Sequence, residues 1–164
     1  MSQNSIRTCA LIGAGAVGSY FIYCLSDKMK ENFSVVASGD RAERLKTGIV
    51  INGKTYYPNI KRPEEVQGVD LLLVAVKYRA LESILPDLTT IIDKDHTIVL
   101  SLLNGVNSED VIRQAIHPKN LVWSFMKIQS TRTKDSVIFD PERTLGLYYG
   151  IPGFTNEKDN PVLS

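Results

Sequence analysis

The chain has 164 residues, 43% of them hydrophobic and 23% charged, which is the composition of one globular domain able to bury its own core. Its 19 basic and 18 acidic residues leave a net charge of +1, which argues against a nucleic-acid partner. The apolar runs are too short to span a bilayer and the first residues lack the build of a secretory signal, so we expect a cytoplasmic protein without membrane contact. Cys9 and Cys24 have no metal-ligand spacing and are expected to be buried free thiols in a reducing compartment.

The first half of the chain alternates apolar strands with helices. We predict a buried strand over residues 8–12, a helix over 16–30, a strand over 34–37 and a short helix over 41–46. Residues 48–60 are expected to form an inserted hairpin, because two β-prone runs flank the turn dipeptide Asn52-Gly53.

The second half continues the alternation. We predict strands over 71–76, 97–102 and 121–128, and helices over 79–92 and 109–116. Pro86 should kink or divide the first of these helices. Residues 136–139 and 144–149 are expected to pair as a closing hairpin. The pattern predicts an α/β, Rossmann-like fold: a doubly wound parallel sheet with a closing antiparallel hairpin over residues 1–151, followed by an exit segment over 152–164.

The most specific motif joins the first strand to the first helix. Gly13, Gly15 and Gly18 have the spacing G-x-G-x-x-G, in which the first glycine permits a tight turn, the second admits a pyrophosphate and the third lets helix and strand pack closely. The pyrophosphate then meets the free N–H groups and positive dipole of the helix start. We therefore expect a dinucleotide site at this turn, formed by Gly13, Ala14, Gly15, Ala16, Val17 and Gly18.

The residues after the second strand bear on the choice of dinucleotide. In NAD-binding sites of this fold, a carboxylate about 20 residues beyond the glycines binds the ribose 2′-hydroxyl. Ser38 stands at that position here, with Arg41 nearby, and a hydroxyl with a guanidinium suits the 2′-phosphate of NADP. The sequence favours NADP, while Asp40 on a slightly shifted loop would suit NAD.

Two further motifs follow predicted strands and carry a family resemblance. Lys77 ends the run Asp70-Leu-Leu-Leu-Val-Ala-Val-Lys, and Asn104 begins Asn-Gly after Leu102-Leu103. In open α/β sheets, ligands bind in the crevice at the carboxyl ends of the strands. Together with the glycine turn, these motifs resemble the N-terminal, NADP-binding domain of the ketopantoate reductase (2-dehydropantoate 2-reductase) family.

The resemblance implies NADPH-dependent reduction of a small 2-keto acid, 2-dehydropantoate, on the route to pantothenate and coenzyme A. It implies that Lys77 contacts the cofactor near its ribose, that Asn104 contacts the nicotinamide ribose, and that Ser130 with Gln129 passes beside the nicotinamide. In the family, a helical C-terminal domain supplies the proton-donating lysine and a substrate-binding glutamate. The chain ends at Ser164, where that domain would begin. We therefore expect no catalytic residue here, little turnover by the isolated chain, and self-association through the face left uncovered.

Simpler interpretations remain for several of these residues. A lysine after a strand is often only solvated, and Asn-Gly is a common turn. His96 and His117 are expected in solvated loops, and the pairs Tyr56-Tyr57 and Tyr148-Tyr149 in strand packing. A non-catalytic dinucleotide sensor and a reductase of another 2-keto acid stay open as alternative functions, because substrate-selecting residues would lie mostly in the helical domain.

Overall fold

The computed structural model describes residues 5–104, 107–133 and 136–150. Gly105, of the Asn-Gly motif, and the exit segment predicted over 152–164 lie outside these residues.

A seven-stranded sheet forms the centre of the molecule. Six of its strands are parallel and the seventh, at one edge, is antiparallel. In chain order they are β1 (Cys9–Ile12), β2 (Phe33–Val36), β5 (Asn59–Lys61), β6 (Leu71–Val74), β7 (Ile98–Ser101), β8 (Asn120–Lys127) and the antiparallel β11 (Gly146–Gly150). β1 and β2 are buried along their whole length, as apolar runs covered on both faces should be.

The strand order places a topological switch point beside β1. Across the sheet the order is β11-β8-β7-β6-β1-β2-β5, so the chain builds outward from β1 to β2 and β5, then returns to β6 and builds in the other direction. This is the doubly wound arrangement that the sequence predicts. In such sheets, the crevice between the two central strands is where ligands bind.

In the described part of the chain, four α-helices accompany the sheet: α1 (Ala16–Met29), α2 (Gly39–Lys46), α3 (Leu81–Ile91) and α4 (Ser108–Ile116). α1 contributes Phe21 and Ile22 to the core on one face of the sheet, and α3 and α4 contribute to the core on the other face. α3 runs through Pro86 as one helix, so the predicted division of this helix at the proline is wrong.

A second, four-stranded sheet covers α1. It contains β3 (Ile49–Ile51), β4 (Lys54–Tyr56), β9 (Ser130–Arg132) and β10 (Ser136–Phe139), in the order β4-β3-β10-β9. The hairpin at Asn52-Gly53 is confirmed, with both turn residues at positive φ, as a two-residue type I′ turn requires. It ends at Tyr56, whereas Ile60 belongs to the central sheet as part of β5, so the predicted extent to residue 60 is wrong.

The predicted pairing of 136–139 with 144–149 is also wrong. β10 pairs with β9 and β3 in the second sheet, and β11 pairs antiparallel with β8 in the central one. The reason lies in packing: Val137 and Phe139 are buried, and Phe139 packs against Tyr20 and Tyr23 of α1. The central sheet still ends in an antiparallel pair, formed by β8 and β11.

Asp70 ties together the amino ends of three central strands. Its carboxylate accepts hydrogen bonds from the amides of Arg7 and Thr8, each at 2.8 Å, and contacts Nε2 of His96 at 2.7 Å. Partial burial acts to raise the pKa of Asp70, but the hydrogen bonds from Thr8, Arg7 and His96 outweigh it and lower the pKa to about 2. His96 therefore has a structural partner in an exposed connection, and Asp70 is a stabilising residue far from the carboxyl edge.

Both cysteines are free. Cys9 is buried as predicted, and burial raises its pKa to about 12, whereas Cys24 is only half-buried, so its predicted burial is wrong. Within the described part of the chain, no helix is long and apolar enough to cross a membrane.

Candidate functional site

Four of the predicted motifs meet at one edge of the central sheet. The glycine turn follows β1, Ser38 follows β2, Lys77 follows β6 and Asn104 follows β7. These strands are parallel and adjacent in the order β7-β6-β1-β2, so all four motifs lie at their carboxyl ends. The glycine turn and Lys77 stand on the two sides of the switch point between β1 and β6.

Two glycines of the turn are required by the fold itself. Gly13 has φ +104°, and a Cβ on it would lie 2.6 Å from the carbonyl carbon and oxygen of Ala75, which follows β6. A Cβ on Gly18 would lie 1.9 Å from the carbonyl oxygen of Gly13. Both distances are far inside van der Waals contact, so any side chain at either position would force β1, α1 and β6 apart.

Gly15 differs from these two because the fold does not require it. Its φ of −87° is open to any residue, and among the described residues a Cβ there would meet no atom nearer than 3.8 Å. It is the N-cap of α1, no side chain caps this helix, and the first turn contains no acidic residue. The first N–H groups of a helix have no partner within it. The turn thus leaves space and unneutralised positive dipole where an anionic group can approach the backbone.

A pocket of about 560 Å³ adjoins the glycine turn, between α2 and the second sheet. Ala14 of the turn lines it, and so do three arginines: Arg41 and Arg44 from α2, and Arg132 from β9. Nη1 of Arg132 donates a hydrogen bond of 2.9 Å to the carbonyl oxygen of Ala14. Among the described residues, those lining the pocket include no carboxylate.

The charges of these arginines interact. Desolvation of its guanidinium lowers the pKa of Arg41, and the nearby charges of Arg132 and then Arg44 lower it further. Arginine stays protonated in proteins at neutral pH, so the three side chains repel one another as cations. Within residues 5–104, 107–133 and 136–150, none of the three takes part in an ion pair. An anion in the pocket would relieve this repulsion.

The other predicted residues lie around this arrangement. Ser38 is the exposed N-cap of α2, and its side chain makes no capping hydrogen bond. Asp40 is exposed in the first turn of α2 and does not line the arginine pocket. Lys77 and Asn104 are exposed at their strand ends, and Ser130 begins β9 opposite Phe139.

Sequence reasoning missed Arg44 and Arg132. Arg44 could have been found, because it lies three residues after Arg41 and therefore on the same face of a helix. Arg132 could not, since 118 positions separate it from Ala14 and only the second sheet brings them together.

A buried polar network supports the edge near Asn104. Glu109, at the start of α4, is only 3% exposed and accepts a 2.8 Å hydrogen bond from the hydroxyl of Ser108. The hydroxyl of Ser101, at the end of β7, lies 2.8 Å from that of Ser108, and Ser124 of β8 donates to the carbonyl of Ser101. A buried carboxylate needs such partners, and this network joins β7, β8 and α4.

The doubly wound sheet, with a glycine turn at its switch point, places the chain in the class of Rossmann-like α/β proteins. The family described as ketopantoate reductase PanE/ApbA matches residues 9–144, most of the chain, and the chain belongs to that family.

The chain is also similar to individual relatives and solved structures. Over 117 residues the chain is 34% identical to a 2-dehydropantoate 2-reductase of Streptococcus pyogenes serotype M3, an alignment that covers 68% of this chain and 38% of that protein. A ternary structure of D-mandelate dehydrogenase with NADH and anilino(oxo)acetate superposes with a TM-score of 0.66 at 27% identity, covering 81% of this chain and 45% of the other. The putative 2-dehydropantoate 2-reductase of Enterococcus faecalis has the same fold, with a TM-score of 0.62 at 23% identity and coverage of 81% and 45%. The chain thus spans less than half the length of these relatives.

Proposed function

We propose that the chain is the cofactor-binding part of an NADPH-dependent reductase of a small 2-keto acid, with 2-dehydropantoate as the substrate. The observation that carries this proposal is the glycine turn, in which the fold demands Gly13 and Gly18 but leaves Gly15 free. A glycine at a position where a side chain would fit the fold is consistent with a ligand that needs the space.

The residues have the following roles in this proposal. The turn from Gly13 to Gly18 binds the pyrophosphate through backbone N–H groups, and Ser38 with Arg41 binds the 2′-phosphate. Lys77 and Asn104 contact the ribose groups from the strand ends beside the turn, and Ser130 with Gln129 borders the nicotinamide. The bound dinucleotide supplies the hydride.

The proposal also covers what lies beyond this chain. The streptococcal relative is a 2-dehydropantoate 2-reductase, and the alignment covers 38% of it. From the family resemblance, we propose that a further, helical domain supplies the proton donor and the groups that select the substrate. General acid catalysis needs a donor within hydrogen-bond reach of the carbonyl oxygen, and we assign none in this chain. The cytoplasmic location and the self-association expected from the sequence remain part of the proposal.

NADH is the competing cofactor, since the D-mandelate dehydrogenase structure contains it. The pocket favours NADPH, because three arginines and no described carboxylate face it, while Asp40 lies outside. Calorimetric titration of the chain with NADPH and NADH tests the choice. We expect NADPH to bind at least ten-fold more tightly, whereas tighter binding of NADH would refute the preference and make Asp40 the ribose ligand.

Activity is tested separately. We expect the isolated chain to oxidise NADPH with 2-dehydropantoate at a rate indistinguishable from buffer, and robust turnover would show that the chain contains its own proton donor. If neither Lys77→Ala nor Asn104→Ala changes the affinity for the dinucleotide, the sensor interpretation is favoured, because it assigns no role to these side chains.

A further inference from the structure

The arginine pocket has two walls that come from distant parts of the sequence. Arg41 and Arg44 lie one turn apart on α2, and Arg132 faces them from β9 of the second sheet. The three guanidinium groups therefore approach the same space from opposite sides. A cavity walled in this way is suited to an anion small enough to be held between the walls.

Arg132 also borders the glycine turn. Besides its hydrogen bond to the carbonyl of Ala14, its Nη1 is the atom nearest to a Cβ built on Gly15, at 3.8 Å. One guanidinium thus stands at the boundary between the pyrophosphate position of the proposed function and the arginine pocket. Arginine has five N–H donors in a fixed fork, and the hydrogen bond to Ala14 uses one of them, which leaves the others for a ligand.

The electrostatics indicate the charge of the occupant. Desolvation is the first cause of the lowered pKa of Arg41, and the neighbouring charges of Arg132 and Arg44 lower it further, so an anion between these side chains would be favoured. A phosphate monoester carries close to two negative charges at neutral pH and accepts hydrogen bonds in the geometry that guanidinium groups offer. A phosphate monoester therefore neutralises about two of the three arginine charges, whereas a carboxylate neutralises only one.

We infer that Arg44 and Arg132, together with Arg41, form a two-sided site for the 2′-phosphate, and that the second sheet therefore contributes a residue that selects the cofactor. This inference rests on the proposed function and extends it. Arg132 holds the turn through Ala14 and binds the phosphate with its remaining donors, so it links the pyrophosphate position to the 2′-phosphate position.

Adenine nucleotides that differ in one phosphate separate the contributions. The probes are 2′,5′-ADP, 5′-ADP and 5′-AMP, titrated calorimetrically into the full chain and into Arg44→Gln, Arg132→Gln and Arg132→Lys. Lys46→Gln is the matched control, because it removes one positive charge from α2 outside the pocket. The melting temperature of each variant shows that it is folded.

We expect Arg44→Gln and Arg132→Gln each to weaken 2′,5′-ADP about ten-fold, the loss of one charge-assisted hydrogen bond, and to change 5′-AMP less than two-fold. Arg132→Lys should retain part of the affinity, since lysine keeps the charge but not the fork. The Lys46→Gln control should leave the ratio between 2′,5′-ADP and 5′-AMP unchanged.

Other outcomes overturn the inference in distinguishable ways. If the wild-type chain prefers 2′,5′-ADP but the Arg44 and Arg132 variants keep that preference, the inference is wrong and the proposed NADPH preference stands. If Arg132→Gln weakens 5′-ADP and 2′,5′-ADP equally while Arg44→Gln changes neither, Arg132 serves the pyrophosphate or the turn alone. Equal binding of 2′,5′-ADP and 5′-AMP by the wild type removes the proposed preference together with its site.

Discussion

Substituting alanine for each glycine of the turn separates what the fold requires from what a ligand requires. In Gly18→Ala, the new methyl group would lie 1.9 Å from the carbonyl oxygen of Gly13, more than 1 Å inside a normal contact. The atom that the methyl group meets belongs to the backbone, so no side chain can rotate away and α1 must move from the turn. We expect a loss of about 3 kcal/mol or more in unfolding free energy. Gly13→Ala should lose at least as much, because its methyl group would lie 2.6 Å from the backbone of Ala75 and the φ of +104° at this position is strained for alanine.

Gly15→Ala should behave in the opposite way. Its methyl group meets no atom of the described residues closer than 3.8 Å, and its φ of −87° is unstrained. Only the poorer N-cap preference of alanine remains, which lowers the unfolding free energy by at most about 1 kcal/mol. The same methyl group stands where the pyrophosphate must approach, so we expect NADPH affinity to fall at least ten-fold. Gly150→Ala is the matched control, because a Cβ there meets no atom of the described residues within 4 Å and Gly150 lies on β11, outside the turn.

Urea unfolding monitored by circular dichroism gives the stabilities, and calorimetric titration with NADPH gives the affinities. The reasoning is refuted if Gly15→Ala binds NADPH as well as the wild type, since the open space would then have no ligand. It also fails if Gly18→Ala is as stable as the Gly150→Ala control.

Three further predictions concern residues away from the turn. Because the folded pKa of Asp70, about 2, lies below its unfolded value, Asp70 stabilises the chain at neutral pH and this contribution declines as the pH falls from about 5 towards 2. With allowance for solvent screening, Asp70→Asn should therefore lower the free energy of unfolding by about 1–2 kcal/mol at pH 7. In urea titrations, the difference in unfolding free energy between this variant and the wild type should narrow below pH 4, and a constant difference would contradict the prediction. Burial that raises the pKa of Cys9 to about 12 should make its thiol inert to Ellman's reagent at pH 8 until urea unfolds the chain, and rapid labelling of native Cys9, located by mass spectrometry, would contradict that burial. Glu109→Ala should lower the free energy of unfolding, measured by thermal or urea unfolding, by about 2–3 kcal/mol, because it leaves buried donors unsatisfied. Glu109→Gln should recover part of this loss, and an alanine variant as stable as the wild type would show that the network is not stabilising.

The central sheet could be predicted from the sequence because its strands are buried on both faces. Such strands appear as short, continuous apolar runs, and the glycine turn fixes where the first of them ends. The Asn52-Gly53 turn could also be predicted, since few residues other than asparagine and glycine accept two successive positive φ angles. These signals are local, and each is carried by a few neighbouring residues.

The partner of β10 could not be predicted from local signals. Proximity in the sequence favours a hairpin with β11, but the burial of Val137 and Phe139 against α1 brings β10 to β3 instead. The same long-range pairing moves Arg132 to the glycine turn. The candidate site was therefore predictable at the strand ends, where motifs are local, and not on the side contributed by the second sheet.

The most direct test of the central claim is a residue-by-residue map of NADPH binding by two-dimensional 1H–15N NMR on the labelled chain. We expect saturable shifts at the amides of Gly13, Gly15 and Ala16, with a second group at Arg41 and Arg132. The amides around Asp70 and His96, at the opposite edge of the sheet, should not move. Saturable shifts confined to that opposite edge, or no shift at the glycine turn at millimolar NADPH, would contradict the account.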